Sequence, residues 1–181
     1  KEKGRALQLF KRKTVWIIGF LWIFAAGSAL GLYSILPLFL VKERGIDFRL
    51  ANSLFGISRI GGVFVSVSVG FLIDRYGYRK MLVLGIIMTG LSTIGLSIAF
   101  TLTMIVTALV LQATLSLAFF PIGMSTISKL TPLSERAMAT GVIISIGMIF
   151  GVGVVSFLLG VIADHLNFQI GILGLGILTT L

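Results

Sequence analysis

Cysteine is absent from this chain. That excludes disulfides, thiolate zinc sites and thiol nucleophiles. Histidine occurs once, at His165, and one imidazole cannot make a metal motif alone. Charge is scarce as well: 12% of the 181 residues are charged, against about 25% in a soluble domain. So few charges cannot cover a water-facing surface. No Asp/His/Ser cluster occurs at a matching depth, so an enzyme embedded in a membrane lacks its residues. Neither a catalytic group, a metal nor a cofactor is expected.

What is present is apolar. Hydrophobic residues make up 57% of the chain, and the mean hydropathy is +1.11. Six runs approach or meet the ~20 residues that a bilayer core requires: 14–41, 48–73, 81–100, 104–128, 138–163 and 168–181. The breaks between them are short, which makes consecutive helices antiparallel neighbours. The last run has fourteen residues, which is short for a span, and the chain is expected to be cut within that helix. Glycine is frequent, at 22 residues, and scattered, as close helix packing in lipid favours.

The net charge of +9 is distributed as a topology signal, so nucleic acid is not an expected partner. Eleven basic residues fall on one side: Lys1, Lys3, Arg5, Lys11, Arg12, Lys13, Arg75, Arg79, Lys80, Lys129 and Arg136. Three, Lys42, Arg44 and Arg49, fall on the other. The positive-inside rule places the N-terminal segment in the cytoplasm of a multi-pass protein of the plasma or inner membrane. Five long runs with this bias exclude buried helices of a large soluble protein.

The second gap carries the sharpest motif, Gly70-Phe71-Leu72-Ile73-Asp74-Arg75-Tyr76-Gly77-Tyr78-Arg79-Lys80. Gly70 suits close approach of a neighbouring helix and Gly77 a tight turn. Arg79 and Lys80 suit lipid headgroups. Asp74 closes its own helix at the end where a carboxylate opposes the dipole, so a partner's cation or helix N-terminus should answer it. This stretch resembles the signature cytoplasmic loop of the major facilitator superfamily, G-x-x-x-D-R/K-x-G-x-R/K-R/K, at every specified position. The resemblance implies an all-α membrane protein, six transmembrane helices arranged as a 3+3 inverted repeat, forming one half of a twelve-helix transporter. It also implies that Gly70, Asp74, Arg75, Gly77, Arg79 and Lys80 form a conformational gate. Gly160-x-x-x-Asp164 repeats Gly70-x-x-x-Asp74 at the end of the fifth run, as nested repeats of opposite topology require.

In the fourth gap, residues 131–141 are similar to the family's loop before a glycine-rich fifth helix, with Ser134 as a candidate N-cap. The family's antiporter signature needs a Gly-Pro pair, but Val154 follows Gly153, so no antiport inference follows. The basic lead-in, without Met, is similar to the central linker. Residues 1–13 are therefore read as a cytoplasmic linker segment and 14–181 as a half-domain, helices seven to twelve. A basic tail before a first half is the competing reading. The implied partners are the missing six-helix half, the lipid bilayer and a small solute. An autonomous six-helix assembly is the alternative.

One charge lies near mid-depth. Arg59 is twelve residues from Asp47 and fifteen from Asp74, roughly 18 and 22 Å along a helix. An arginine there costs at least ~2.5–3.5 kcal/mol, so it should face protein or water. Asn52, Phe55, Arg59, Gly62, Val63 and Ser66 fall on one face of a continuous helix. Guanidinium clamps carboxylates and phosphates at two points, so the substrate-binding candidates are Arg59, Asn52 and Ser66, with Tyr33, Gln112 and Ser145 as neutral members. The competing reading for the neutral three is helix–helix hydrogen bonding, and for Arg59 a snorkelling or structural pair. An organic or inorganic anion is the expected solute, moved by proton- or ion-coupled symport or exchange. A neutral or cationic solute, or drug efflux, is the alternative. Pro37 and Pro121 are expected to bend their helices. Trp16, Trp22 and Phe10 are read as interface anchors or packing.

Overall fold

The computed structural model describes residues 12–181. The expectations placed on residues 1–11, Phe10 among them, lie outside that range. Six helices follow one another: α1 (Lys13–Lys42), α2 (Phe48–Tyr76), α3 (Tyr78–Ser97), α4 (Leu102–Leu130), α5 (Arg136–His165) and α6 (Phe168–Thr180). No strand occurs among the described residues. The first five are long and apolar enough to cross a membrane.

The helix ends follow from local chemistry. Gly45 takes φ +64 in the first turn, and the Asp47 side chain then accepts from the N–H groups of Arg49 and Leu50 to start α2. Thr101 caps α4 through the Met104 N–H. Asn167 caps α6 through the Ile170 N–H. Glu43 adds its carboxylate to that same N-terminus, accepting from Phe168 and Gln169, where the helix dipole favours negative charge. Ser134 does not cap α5. The helix starts at Arg136 with Glu135 at the cap position and no side-chain cap bond, because Glu135 is drawn instead into an ion pair with Arg12 at 3.2 Å.

These contacts sort the loops into two ends. Arg12 and Glu135 join the foot of α1 to the head of α5. At the opposite end Glu43 holds α6, and Arg44 donates to the Ser97 carbonyl at 2.6 Å beneath the rings of Phe39 and Phe100. Burial pulls the Arg44 pKa down and the adjacent Glu43 charge opposes it. The alternation read from the charges is therefore the alternation of the fold.

Helix pairing carries the internal symmetry. α1 packs on α5, α2 on α4, and α3 on α6. Exchanging the first three helices for the last three converts the α1–α5 pair into α4–α2 and returns α3–α6 to itself. That is the pairing of a 3+3 repeat.

The apolar core has two larger lobes and a smaller cluster of Val69, Ile73, Met81, Ala118 and Ile122 between α2, α3 and α4. One lobe gathers Leu32, Leu36, Phe39, Leu96, Leu109 and Ile172. The other gathers Val15, Ile18, Trp22, Phe119, Ile127 and Ile143, with Trp22 edge-on to Phe119 and Phe120. Trp22 is thus core packing, not an interface anchor. Between the lobes lies a polar layer. Gln112 donates to the Ser28 carbonyl and to the Thr93 hydroxyl, and Ser28 and Thr179 share a hydrogen bond. All four are buried, so α1, α3, α4 and α6 are pinned at one depth.

Regular α-geometry fails at places the prolines do not mark. The helices continue through Pro37 and Pro121. Gly27–Gly31 in α1 and Gly147–Val154 in α5 are π-helical, and the two segments touch. The Gly31 carbonyl accepts from both Ser34 and Ser156. Such hydroxyls re-satisfy backbone groups that irregular turns release in lipid.

Candidate functional site

Arg59 sits where α2 breaks. The continuous helix expected there is interrupted: α-geometry stops at Ser58 and resumes at Ile60. The Arg59 N–H donates to Gly56 and its carbonyl accepts from Gly62, both three residues away, a tightened turn of the 3₁₀ kind. The break adjoins a close helix contact: Gly61 and Gly62 let α2 approach α4 so closely that Thr114 and Leu117 occupy the space a Cβ would need. The Ser58 hydroxyl also takes the Phe55 carbonyl, a local bond that competes with the helix ladder.

The break turns the arginine toward α1. Its Nη2 donates to the Ala29 carbonyl at 2.9 Å, inside the π-helical segment. The guanidinium lies 4.0 Å from the centre of the Tyr33 ring and 5.7 Å from that of Phe55. The two rings are themselves 5.7 Å apart. Tyr33 is buried, its hydroxyl reaching toward the Leu109 carbonyl of α4 at 3.5 Å. A desolvated cation on an aromatic face gains about 2 kcal/mol, which offsets part of the cost of holding it in the span. Arg59 is half-buried, and its Nε is buried without a hydrogen-bond partner.

Of the candidate residues, Arg59 and Tyr33 come together, with Phe55 as the second ring. Asn52 is exposed and turned back on the Phe48 carbonyl. Ser66 is half-buried and bonded to the Gly62 carbonyl of its own helix. Gln112 belongs to the separate buried layer already described. Ser145 stands exposed on α5. The Ala29 carbonyl was invisible to sequence reasoning, since a backbone acceptor has no residue signature. Ser28, Thr93 and Thr179 were also missed, although polar residues recur at one depth in four apolar runs.

The motif loop forms a second site at the other end of α2. Gly77 takes φ +84 and ψ 148, a region essentially confined to glycine, and α3 starts on the next residue. Asp74, Arg75, Arg79 and Lys80 are exposed. Arg75 lies over Tyr76, and the Arg79 Nε donates to the Tyr78 hydroxyl. The Arg12–Glu135 pair is the only salt bridge among the described residues, so Asp74 is unanswered within them. The close approach expected at Gly70 is not made by any of the described residues, since none lies within 4 Å of its Cβ position. Gly160, its repeat counterpart, is equally open. α2 and α5, the helices that carry these two glycines, are the least buried of the five spans.

Residues 15–181 match the family model described as Major Facilitator Superfamily. Among curated proteins, the chain is similar to "Multidrug resistance protein 2" of Bacillus subtilis (strain 168), at 27% identity over 154 residues. The match covers 83% of this chain and 38% of that protein.

Proposed function

Because this chain belongs to the major facilitator superfamily, we propose that it is one six-helix half of a secondary transporter that moves a small solute by alternating access. It is an integral, multi-pass membrane protein. In the proposed assembly the missing half sits against the open faces of α2 and α5, and the two halves rock about a site near mid-depth. The end bearing Arg12, Gly77 and Glu135 is the cytoplasmic one, and the membrane is the cell membrane.

The substrate-facing residue in this half is Arg59, with Tyr33 and Phe55 behind it. The half-buried guanidinium supports this reading, because Nη2 alone donates within the described residues and an anionic group on the solute can accept from the remaining accessible donors. The solute class is then a small organic or inorganic anion. Transport of a lipophilic drug is the second reading. The name of the Bacillus relative favours it, and so do the two rings beside the arginine.

A binding panel on the purified full-length protein separates them. Small carboxylates and phosphates should bind, and Arg59→Lys should weaken them about ten- to hundredfold, as loss of a charge-assisted contact would. Best binding by neutral or cationic lipophilic compounds, unaffected by Arg59→Lys, would overturn the anion reading and leave drug transport.

A further inference from the structure

The α2–α3 corner holds a groove apart from the proposed solute site at Arg59. It has a volume of ≈ 690 Å³ and is walled by Leu72, Tyr76, Val83, Leu84 and Ile87. One end carries Arg79 and Lys80. We propose that this groove binds an anionic phospholipid, with an acyl chain along its apolar walls and the headgroup phosphate held by Arg79 and Lys80.

Three observations carry this. The walls are apolar and exposed: Val83 is 59% and Leu84 50% accessible, and both lie within the span Tyr78–Ser97. A ligand lying there must be hydrocarbon along most of its length. The cations are free to act, since neither Arg79 nor Lys80 meets a carboxylate within salt-bridge distance among the described residues. Arg79 spends only its Nε, on the Tyr78 hydroxyl, and its terminal nitrogens stay available for phosphate. The geometry also matches an amphiphile. From Lys80 to Ile87 the helix rises roughly 10 Å, so the charges cap the groove at the membrane surface and the wall descends into hydrocarbon. The basic majority of the chain's loops lies at this end, and anionic lipid concentrates in the cytoplasmic leaflet.

α3 places its inner side against α4 and α6, so the groove's α3 wall opens away from these helices. The proposal is independent of which solute is carried.

The test uses the full-length transporter in nanodiscs of phosphatidylcholine mixed with phosphatidylglycerol. The phosphatidylglycerol carries a photoreactive acyl chain, and retained lipid is counted by native mass spectrometry. Crosslinks should map to residues 72–87, with phosphatidylglycerol retained over phosphatidylcholine. The Arg79→Ala/Lys80→Ala double variant should lose the charged lipid's preference by about fivefold per cation, or about 30-fold together. Leu84→Trp keeps both cations and fills the groove, so it should lose the crosslinks. Equal retention of the two lipids overturns the proposal, as does phosphatidylglycerol binding unchanged in both variants. An unlabelled groove, because the other half covers it, overturns it equally.

Discussion

The guanidinium of Arg59 lies 4.0 Å over the ring of Tyr33, so the one charge near mid-depth already has its flat face covered by the neighbouring helix. This explains how an arginine is held there without a carboxylate. It also makes the ring, more than the hydroxyl, the supporting group.

Tyr33→Phe should therefore cost no more than about 1 kcal/mol, since it removes a hydrogen bond to Ser58 and a long contact to the Leu109 carbonyl but keeps the ring. Tyr33→Leu removes the face and should cost about 2 kcal/mol. Thermal unfolding of the full-length protein in detergent reads the difference. Equal loss in both variants would mean that the hydroxyl carries the interaction.

The α1–α5 seam is expected to be less forgiving. A Cβ on Gly151 would sit 2.5 Å from the Ile23 carbonyl oxygen and 2.9 Å from the Ala26 Cβ. Backbone cannot give way as a side chain can. Gly151→Val should lower stability by about 3 kcal/mol, at the upper end for overpacking. Gly153→Ala meets only the Met148 carbonyl at 3.9 Å and should stay within about 0.5 kcal/mol. The pair can be compared by the yield of monodisperse protein and by unfolding temperature.

The span pattern and loop alternation were legible in the sequence because they rest on polarity, which composition records directly. The turn of the motif loop was legible for the same kind of reason: Gly77 and its charged neighbours are local, and a turn with positive φ selects its residue. The kink at Arg59 was not. It lies beside the close approach of Thr114 and Leu117 on α4 to Gly61 and Gly62, a contact between runs far apart in the chain. The same holds for the π-helical segments, where two glycine-rich stretches meet. Gly70 is open within the described residues, so a helix that its missing side chain would admit is not among them.

Topology can be tested with single cysteines, since this chain supplies none of its own. Gly77 is a poor position, because any side chain there is strained by φ +84. Leu133 is 80% and Leu166 64% exposed, one in each set of loops. In a full-length protein cleared of other cysteines, Leu166→Cys should react with an impermeant thiol reagent on intact cells. Leu133→Cys should react only after permeabilisation. The reverse pattern would invert the proposed orientation.

Asp74 and Gly77 lie three residues apart in one motif and should fail differently. Asp74 is exposed at the C-terminal end of α2 and unpaired among the described residues. A carboxylate there opposes its own helix dipole, so its favourable partner is expected on the other half, in one of the alternating states. Asp74→Asn should then leave folding intact and solute binding within a few fold, while the transport rate falls about tenfold, as loss of one charge-assisted bond predicts. Gly77→Ala changes no charge but strains the turn between α2 and α3, costing about 1–3 kcal/mol. It should lower thermal stability, and transport should fall with the amount of folded protein. Proteoliposome flux, equilibrium binding and unfolding temperature, measured together on both variants, separate the roles. If Asp74→Asn abolishes binding in a folded protein, the carboxylate belongs to the substrate site, not to the gate.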